Sequence, residues 1–315
     1  MASAAEIKFA LEGAALDLRE DGRACLDTRH SSLVVGVLPN CSGSAHLQTG
    51  AADVLVGVVA ALAEPEPGAA TSGRVSVSVS CGSGDAIAAG LPAYATRGGE
   101  TLDDKRLWLE AALNQLYSPR ASPAALRTLC IAEGKHCWEL RAHVQLLRAD
   151  GCPLDAAALA LRSALHATCV PKATVSKASG GQASGTAASS NGALDIELDE
   201  SLDEAKQFAA DLSLPLYVTL ASLGGHLVAD CTAKERHAAG SALSLALDGE
   251  ARVCAVCAGG GFGLHLTSLA AATEAARQVS PERHAAAAAA FREATAAREQ
   301  RGIDDGMLSV FGAVA

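Results

Sequence analysis

Asp230 and Glu235 form an acid pair five positions apart, just after the run 225–229. Paired carboxylates at a strand end can bind a metal or activate a phosphate. Lys234 and Arg236 adjoin them and would repel a cation, so a solvated strand end is the plainer reading. A second candidate is the positive stretch Arg97-Gly98-Gly99-Glu100 followed by Lys105-Arg106. Cations at a glycine loop and a helix N-terminus suit a phosphate backbone, which makes Arg97, Lys105 and Arg106 candidate RNA contacts. Glu100, Asp103 and Asp104 lie among them, and an ordinary helix start explains the stretch equally well. Cys254-Ala255-Val256-Cys257 has C-x-x-C spacing but no second pair at ligand distance, and it falls in an apolar, strand-like run. Core filling explains it better than metal or redox work. Gly259-Gly260-Gly261-Phe262-Gly263 fits neither G-x-G-x-x-G nor a P-loop and reads as a turn. The nine histidines offer no H-E-x-x-H, His136-Cys137-Trp138 reads as packing, and there is no G-x-S-x-G elbow. No metal or cofactor is expected.

Composition narrows the classes. Half of the 315 residues are hydrophobic, 19% are charged and 3% are aromatic. A chain of this length can bury one large core or two smaller ones. The low charged fraction hints that partners cover some surface. So few aromatics argue against a base-stacking platform. The net charge of -10 argues against a protein that grips RNA alone, because phosphate neutralisation dominates such binding. A shared RNA path to which this chain gives one wall remains compatible. The ten cysteines are scattered, several in apolar runs, and no signal peptide or bilayer-spanning run is visible, so an intracellular, reducing setting is expected.

The elements that must position these residues follow from periodicity. Residues 5–19 read as a helix with Ile7, Ala10, Leu11 and Ala14 on one face. Strands are expected at 32–38, 44–48 and 53–62, with a hairpin at Thr49-Gly50. In 74–80, Val75, Val77 and Val79 alternate with serines, so the valines should face the core. Thr101 and Asp104 have capping-box spacing before a helix to about Tyr117 that Pro119 and Pro123 end. Strands are expected at 126–132 and 138–147, and a second helix at 155–168. Residues 172–193 are low in complexity and read as a flexible linker. Strands follow at 214–221, 225–230, 241–247 and 252–258, then Ala-rich helices at 266–278 and 280–301. Strands then helices, twice, predict an α+β fold of two related halves.

The order of several short segments resembles the ribonuclease PH family. They are Asp21-Gly22-Arg23 with Asp27 and Arg29; Asn40-Cys41-Ser42-Gly43; the hairpin 50–58; Arg97-Gly98-Gly99-Glu100; Cys137-Trp138; Asp150-Gly151 before a helix; and Val228-Ala229-Asp230-Cys231-Thr232 with Glu235. The pattern spans about residues 6–280. Within the family it is most similar to a ring subunit of the eukaryotic RNA exosome. The resemblance implies a ribonuclease PH-like fold of two duplicated βαβα-type halves, with mixed sheets packed on helices. It divides the chain into an N-terminal helix (1–20), a first domain (21–171), the linker (172–193), a second domain (194–280) and a C-terminal Ala-rich helix and tail (281–315). The implied partners are other ribonuclease PH-like ring subunits, RNA-binding cap subunits, and RNA threaded through the shared channel, without a membrane. The implied setting is nucleus, nucleolus and cytoplasm, in ribosomal RNA maturation and RNA turnover.

The departures from the family are specific. Active members continue from the equivalent of Asp150-Gly151 with a glycine, a small hydroxyl residue and an arginine that hold inorganic phosphate. This chain reads Cys152, Pro153 and Leu154 there, followed by Asp155. Proline removes a donor, leucine removes the charge, and Asp155 would repel phosphate. Active members also keep a second acid shortly beyond the equivalent of Asp230, where this chain has Ala238-Ala239-Gly240. The expectation is a non-catalytic subunit. The alternative is a phosphate-dependent 3'-to-5' exoribonuclease using Asp230 and Glu235.

Overall fold

The computed structural model describes residues 3–82, 91, 101–177, 194–198, 205–210, 212–239, 241–259 and 266–300. Arg97, the loop 260–263, most of the low-complexity stretch and the tail 301–315 lie outside them.

The first half runs α1 (Ala4–Ala15), β1 (Ser31–Val35), β2 (Gly43–Thr49), β3 (Ala52–Ala63), β4 (Arg74–Cys81), α2 (Leu102–Leu116), α3 (Pro123–Arg127), β5 (Cys130–Ala132), β6 (His136–Arg148) and α4 (Pro153–His166). Its sheet has the order β1-β2-β3-β6-β4, with β5 also paired to β6. All its pairings are antiparallel except β4 with β6. The valine alternation behaves as expected. Val75, Val77 and Val79 are buried while Ser78 is exposed. They pack under Leu109, Leu113 and Leu116 of α2, whose N-terminus carries the Thr101–Asp104 capping box in both directions.

Short connecting strands β7 (Cys169–Val170), β8 (Ala173–Lys177), β9 (Leu194–Leu198) and β10 (Lys206–Gln207) lead to the second half. That half holds β11 (Leu216–Leu223), β12 (His226–Ala229), α5 (Ala233–Ala238), β13 (Ser241–Leu247), β14 (Val253–Gly259) and α6 (Leu266–Gln300). Its sheet has the order β12-β11-β13-β14, with antiparallel pairings. Mixed strand and helix layers, repeated, give the α+β ribonuclease PH-like arrangement expected from the sequence.

Helix α4 explains how the halves join. Twelve of its residues are buried, including Leu154, Leu161 and Leu165. It packs on β2 and β3 of the first sheet and on β11 of the second. A helix with apolar residues on so much of its surface has to be enclosed, and here both sheets enclose it, with Asp155 and Arg162 buried as well. Each leucine buried in this way contributes roughly 1.5–3 kcal/mol. The largest buried cluster accordingly takes Val54, Val56 and Leu140 from the first half together with Phe208, Leu214 and Tyr217 from the second. The Tyr217 hydroxyl donates to the Ala112 carbonyl of α2 at 2.8 Å, so the seam has a polar tie as well.

Three local expectations need correction. Residues 123–127 form a helical turn and only 130–132 form a strand, because Pro123 occupies the first helical turn, where its missing N–H costs nothing. The low-complexity stretch is not all linker. Ala173–Lys177 pairs with Leu194–Leu198, and Thr174 and Val175 are β-branched residues suited to a strand. The two C-terminal helices are one helix that continues across Pro281. Proline there forfeits one backbone bond, but Ala272, Ala276, Val279, His284, Ala287 and Ala294 keep a buried stripe at helical spacing.

Candidate functional site

Asp150 and Asp230, far apart in sequence, meet on Arg29 in the chain before β1, and Glu235 is held separately on Arg19. Asp230 ends β12 in the left-handed region, at φ 44°. This turns its carboxylate away from the strand and toward Arg29. The Arg29 backbone N–H and Nε donate to Asp230 Oδ2 at 2.7 and 3.0 Å, and Nη2 donates to Oδ1 at 2.7 Å. The same guanidinium forms a short ion pair with Asp150. The other Asp150 oxygen accepts the Ala233 N–H at 2.8 Å, at the start of α5. Arg29 thus bridges two carboxylates, and Arg23 adds a second cation 3.5 Å from Asp230.

Glu235 is occupied as fully. It is the third residue of α5 and closes a capping box, accepting the Thr232 N–H at 2.8 Å while its own N–H bonds the Thr232 hydroxyl. Its carboxylate also takes a two-pronged ion pair from Arg19, at 2.8 and 2.6 Å. Arg19 is buried and donates as well to the carbonyls of Ala229 and Asp230, each at 3.0 Å. Bidentate arginine–carboxylate pairs are among the stronger polar contacts in proteins.

Electrostatics follow the geometry. Burial alone would push the Asp230 carboxyl up, but the hydrogen bonds and charge of Arg29 outweigh it and hold the group at about 2. Burial likewise opposes ionisation of Glu235, and the contacts from Arg19 and Thr232 overcome it and lower its pKa. Both groups are ionised at neutral pH and under 9% exposed. They are therefore not a solvated strand end but buried carboxylates engaged by arginines. Lys234 points away from them, to Glu20 at 3.0 Å.

The phosphate-loop position is closed. Gly151 has φ 55°, and a Cβ there would lie 1.9 Å from the Cys231 carbonyl oxygen. Only glycine fits this crossing. Cys152, Pro153, Leu154 and Asp155 are all buried. Asp155 does not face an empty anion site. Its carboxylate accepts the Thr219 N–H at 2.9 Å and the Thr219 hydroxyl at 2.5 Å, and it pairs with Arg283 of α6 at 2.6 Å. The negative charge in the first turn of α4 also favours the helix dipole. Helix α4 therefore starts against β11 and α6, with a buried, fully partnered carboxylate in its first turn.

The remaining candidates are separate. Lys105 Nζ donates to the Leu91 carbonyl at 2.8 Å. Arg106 bonds the Val79 carbonyl at 3.2 Å and Glu110 at 3.3 Å, tying α2 to β4. Arg97 lies outside the described residues. Cys254 and Cys257 sit in β14 as free thiols, and Cys257 lies 3.4 Å from the Tyr217 hydroxyl. Cys137 and Trp138 are buried in β6. Among the described residues no group of three His, Cys, Asp or Glu side chains is placed to hold a metal, and no helix is long and apolar enough to cross a membrane. Sequence reasoning missed the basic partners Arg19 and Arg283. Neither carries a local signal, since their acids lie 216 and 128 positions away.

Comparison with known proteins agrees with this fold. An exosome complex component Rrp42 of Methanopyrus kandleri is 26% identical over 250 residues, covering 79% of this chain and 83% of that protein. A putative exosome complex exonuclease RRP42 of Dictyostelium discoideum is 24% identical, covering 85% and 90%. Among solved structures, an archaeal exosome core chain superposes with a TM-score of 0.63 at 21% identity, over 89% of this chain and 95% of that one. A chain of the Archaeoglobus fulgidus exosome with RNA bound to the active site gives 0.62 at 23% identity, over 87% and 94%. The model of the 3' exoribonuclease family, domain 1, matches residues 27–171, and that of domain 2 matches 213–279. With both domain models matched in order over well over half of its length, the chain belongs to the 3' exoribonuclease family, the ribonuclease PH family.

Proposed function

We propose that this chain is a non-catalytic ring subunit of an RNA exosome, supporting 3'-to-5' RNA processing and degradation through assembly and guidance of RNA. The observation that carries the reading is the double ion pair of Arg29 with Asp150 and Asp230. It neutralises the acids internally beside a helix N-terminus that is buried and already faces a carboxylate. Phosphorolysis relies on preorganised charge aimed at phosphate, and that charge is engaged elsewhere in this chain. Relatives named as exosome complex components support the assembly part of the reading.

The proposed partners are other ribonuclease PH-like ring subunits, RNA-binding cap subunits, and RNA in their shared channel. Arg97, Lys105 and Arg106 are the proposed RNA contacts, and nucleus, nucleolus and cytoplasm the proposed setting, with ribosomal RNA maturation among the tasks. Purified protein given RNA and inorganic phosphate should release no nucleoside diphosphates, and it should co-elute with ring subunits when mixed with them. Release that disappears in Asp230→Asn would overturn the non-catalytic reading. A chain that stays monomeric in cell extract would overturn the ring assignment.

A further inference from the structure

A cavity of about 900 Å³ opens at the other end of α4, between α3, the 248–252 turn and α6. Arg162 lies nine residues beyond Pro153, so about 14 Å along the helix from the closed loop. Its walls combine small apolar residues, such as Ala121, Ala125, Leu214 and Ala288, with a charged side that includes Asp248, Glu250 and Arg252. Arg162 lines the cavity while only 7% exposed, and its Nε and Nη1 have no hydrogen-bond partner among the described residues. A buried guanidinium without an acceptor is costly, and native proteins rarely leave one so.

Among the described residues no neighbouring group satisfies it, and the nearby Tyr117 hydroxyl is itself buried without a partner. Asp248 already accepts Arg252 Nε at 2.8 Å and the N–H groups of Arg252 and Glu250. Glu250 pairs with Arg252 at 3.0 Å. His284 bonds the Leu247 carbonyl and the Ser213 hydroxyl. Burial, and then the Arg162 charge, push both His166 and His284 down to about 4, as an uncompensated cation would. The helix C-terminus offers Arg162 a favourable dipole but no specific partner.

We propose that this cavity receives a segment of a partner protein that presents a carboxylate between small apolar side chains, with the carboxylate docked on Arg162. Charge complementarity selects the anion, since the planar guanidinium fork matches a carboxylate in two bonds. The carboxylates of Asp248 and Glu250 beside the apolar patch repel a chain of repeating phosphates and favour a peptide that presents a single acid. Of the rings there, Phe291 and His166 pack on each other at 5.8 Å, and His284 is held by the Leu247 carbonyl and the Ser213 hydroxyl. The site is remote from Asp230 and does not depend on whether the chain degrades RNA.

The test places a photo-crosslinking amino acid at Ala288 of the full chain, isolates the assembly it forms in cells, and maps cross-links by mass spectrometry. The expected product is a peptide of another subunit with Asp or Glu within two or three residues of the link. Arg162→Met should reduce its yield at least tenfold while raising the melting temperature of the isolated chain, because the unpaired buried charge is gone. Arg162→Lys should recover only part of the yield. Links confined to this chain's own residues would overturn the proposal. So would a partner peptide lacking acids, a yield unchanged in Arg162→Met, or a yield abolished by competing RNA.

Discussion

Replacing Arg29 by glutamine removes the one side chain that bridges Asp150 and Asp230, and the cost can be worked from the structure. Asp230 is held at about 2, against 3.8 for the free group. That difference corresponds to roughly 2.4 kcal/mol at about 1.36 kcal/mol per pKa unit. Because the folded pKa is depressed, this stabilisation is fully present above the unfolded pKa of 3.8 and is lost as the pH falls toward 2. Arg29→Gln also strands a second carboxylate, Asp150, and breaking a buried pair typically costs about 3–5 kcal/mol. With an unfolding entropy near 2.1 cal/mol/K per residue, a chain of 315 residues should lose about 5–8 °C in melting temperature. Asp230→Asn should cost less, and the double variant should recover about 2 kcal/mol of coupling at pH 7, shrinking toward pH 3. Denaturant melts of the four proteins at the two pH values measure this. A loss below about 1 kcal/mol in Arg29→Gln, or a coupling that does not change with pH, would refute the structural role assigned to Asp230.

Rebuilding the phosphate loop should fail: Pro153→Ser with Leu154→Arg buries a new charge, so urea melts should show a loss of about 3 kcal/mol or more, with no nucleoside diphosphate released from RNA and phosphate. His166 and His284 both have folded pKa values lowered to about 4 from 6.5; stability should therefore fall as pH drops below 6.5, by roughly 1 kcal/mol per histidine between pH 7 and 5.5, and His284→Gln should flatten part of that slope in urea melts. Arg106→Glu sets a like charge beside Asp103 and Glu110 and releases the Val79 carbonyl, so thermal melts should show a loss of about 1 kcal/mol; if RNA protection by the assembled ring falls no further than in Arg106→Gln, contact with RNA through this side chain is excluded. Thr219→Val removes one acceptor–donor pair from Asp155 and should cost about 1–3 kcal/mol in the same melts.

Local patterns were legible where local physics decides. The alternation of Val75, Val77 and Val79 with serines could satisfy only a one-sided strand, and Thr101 with Asp104 could only open a helix. Pro153 likewise marked where α4 begins, since it occupies the first turn of that helix. What Asp155 does instead was not legible. It reads as a charge that would repel phosphate, yet its partners are Thr219 and Arg283, distant in sequence and brought together by the packing of both sheets on α4. Asp230 and Glu235 failed in the same way. Their neighbours Lys234 and Arg236 suggested a solvated turn, while the cations that bind them, Arg29 and Arg19, come from more than 200 positions earlier. Pro123 misled for a different reason: the residue type that ends α2 also starts a new turn.

The enclosure of α4 by both sheets bears on how the chain reaches its native state. During synthesis the first sheet and α4 leave the ribosome with one face of that helix still bare, because Phe208, Leu214 and β11 have yet to be made. The face of α4 that packs on β11 therefore stays exposed until about Leu223 has emerged, and the first half has to wait in a partly packed form that can associate with other chains. Duplicated in design, the halves are sequential in birth but cooperative in completion, and the late-arriving strands act as the folding partner of a domain that looks finished in the sequence.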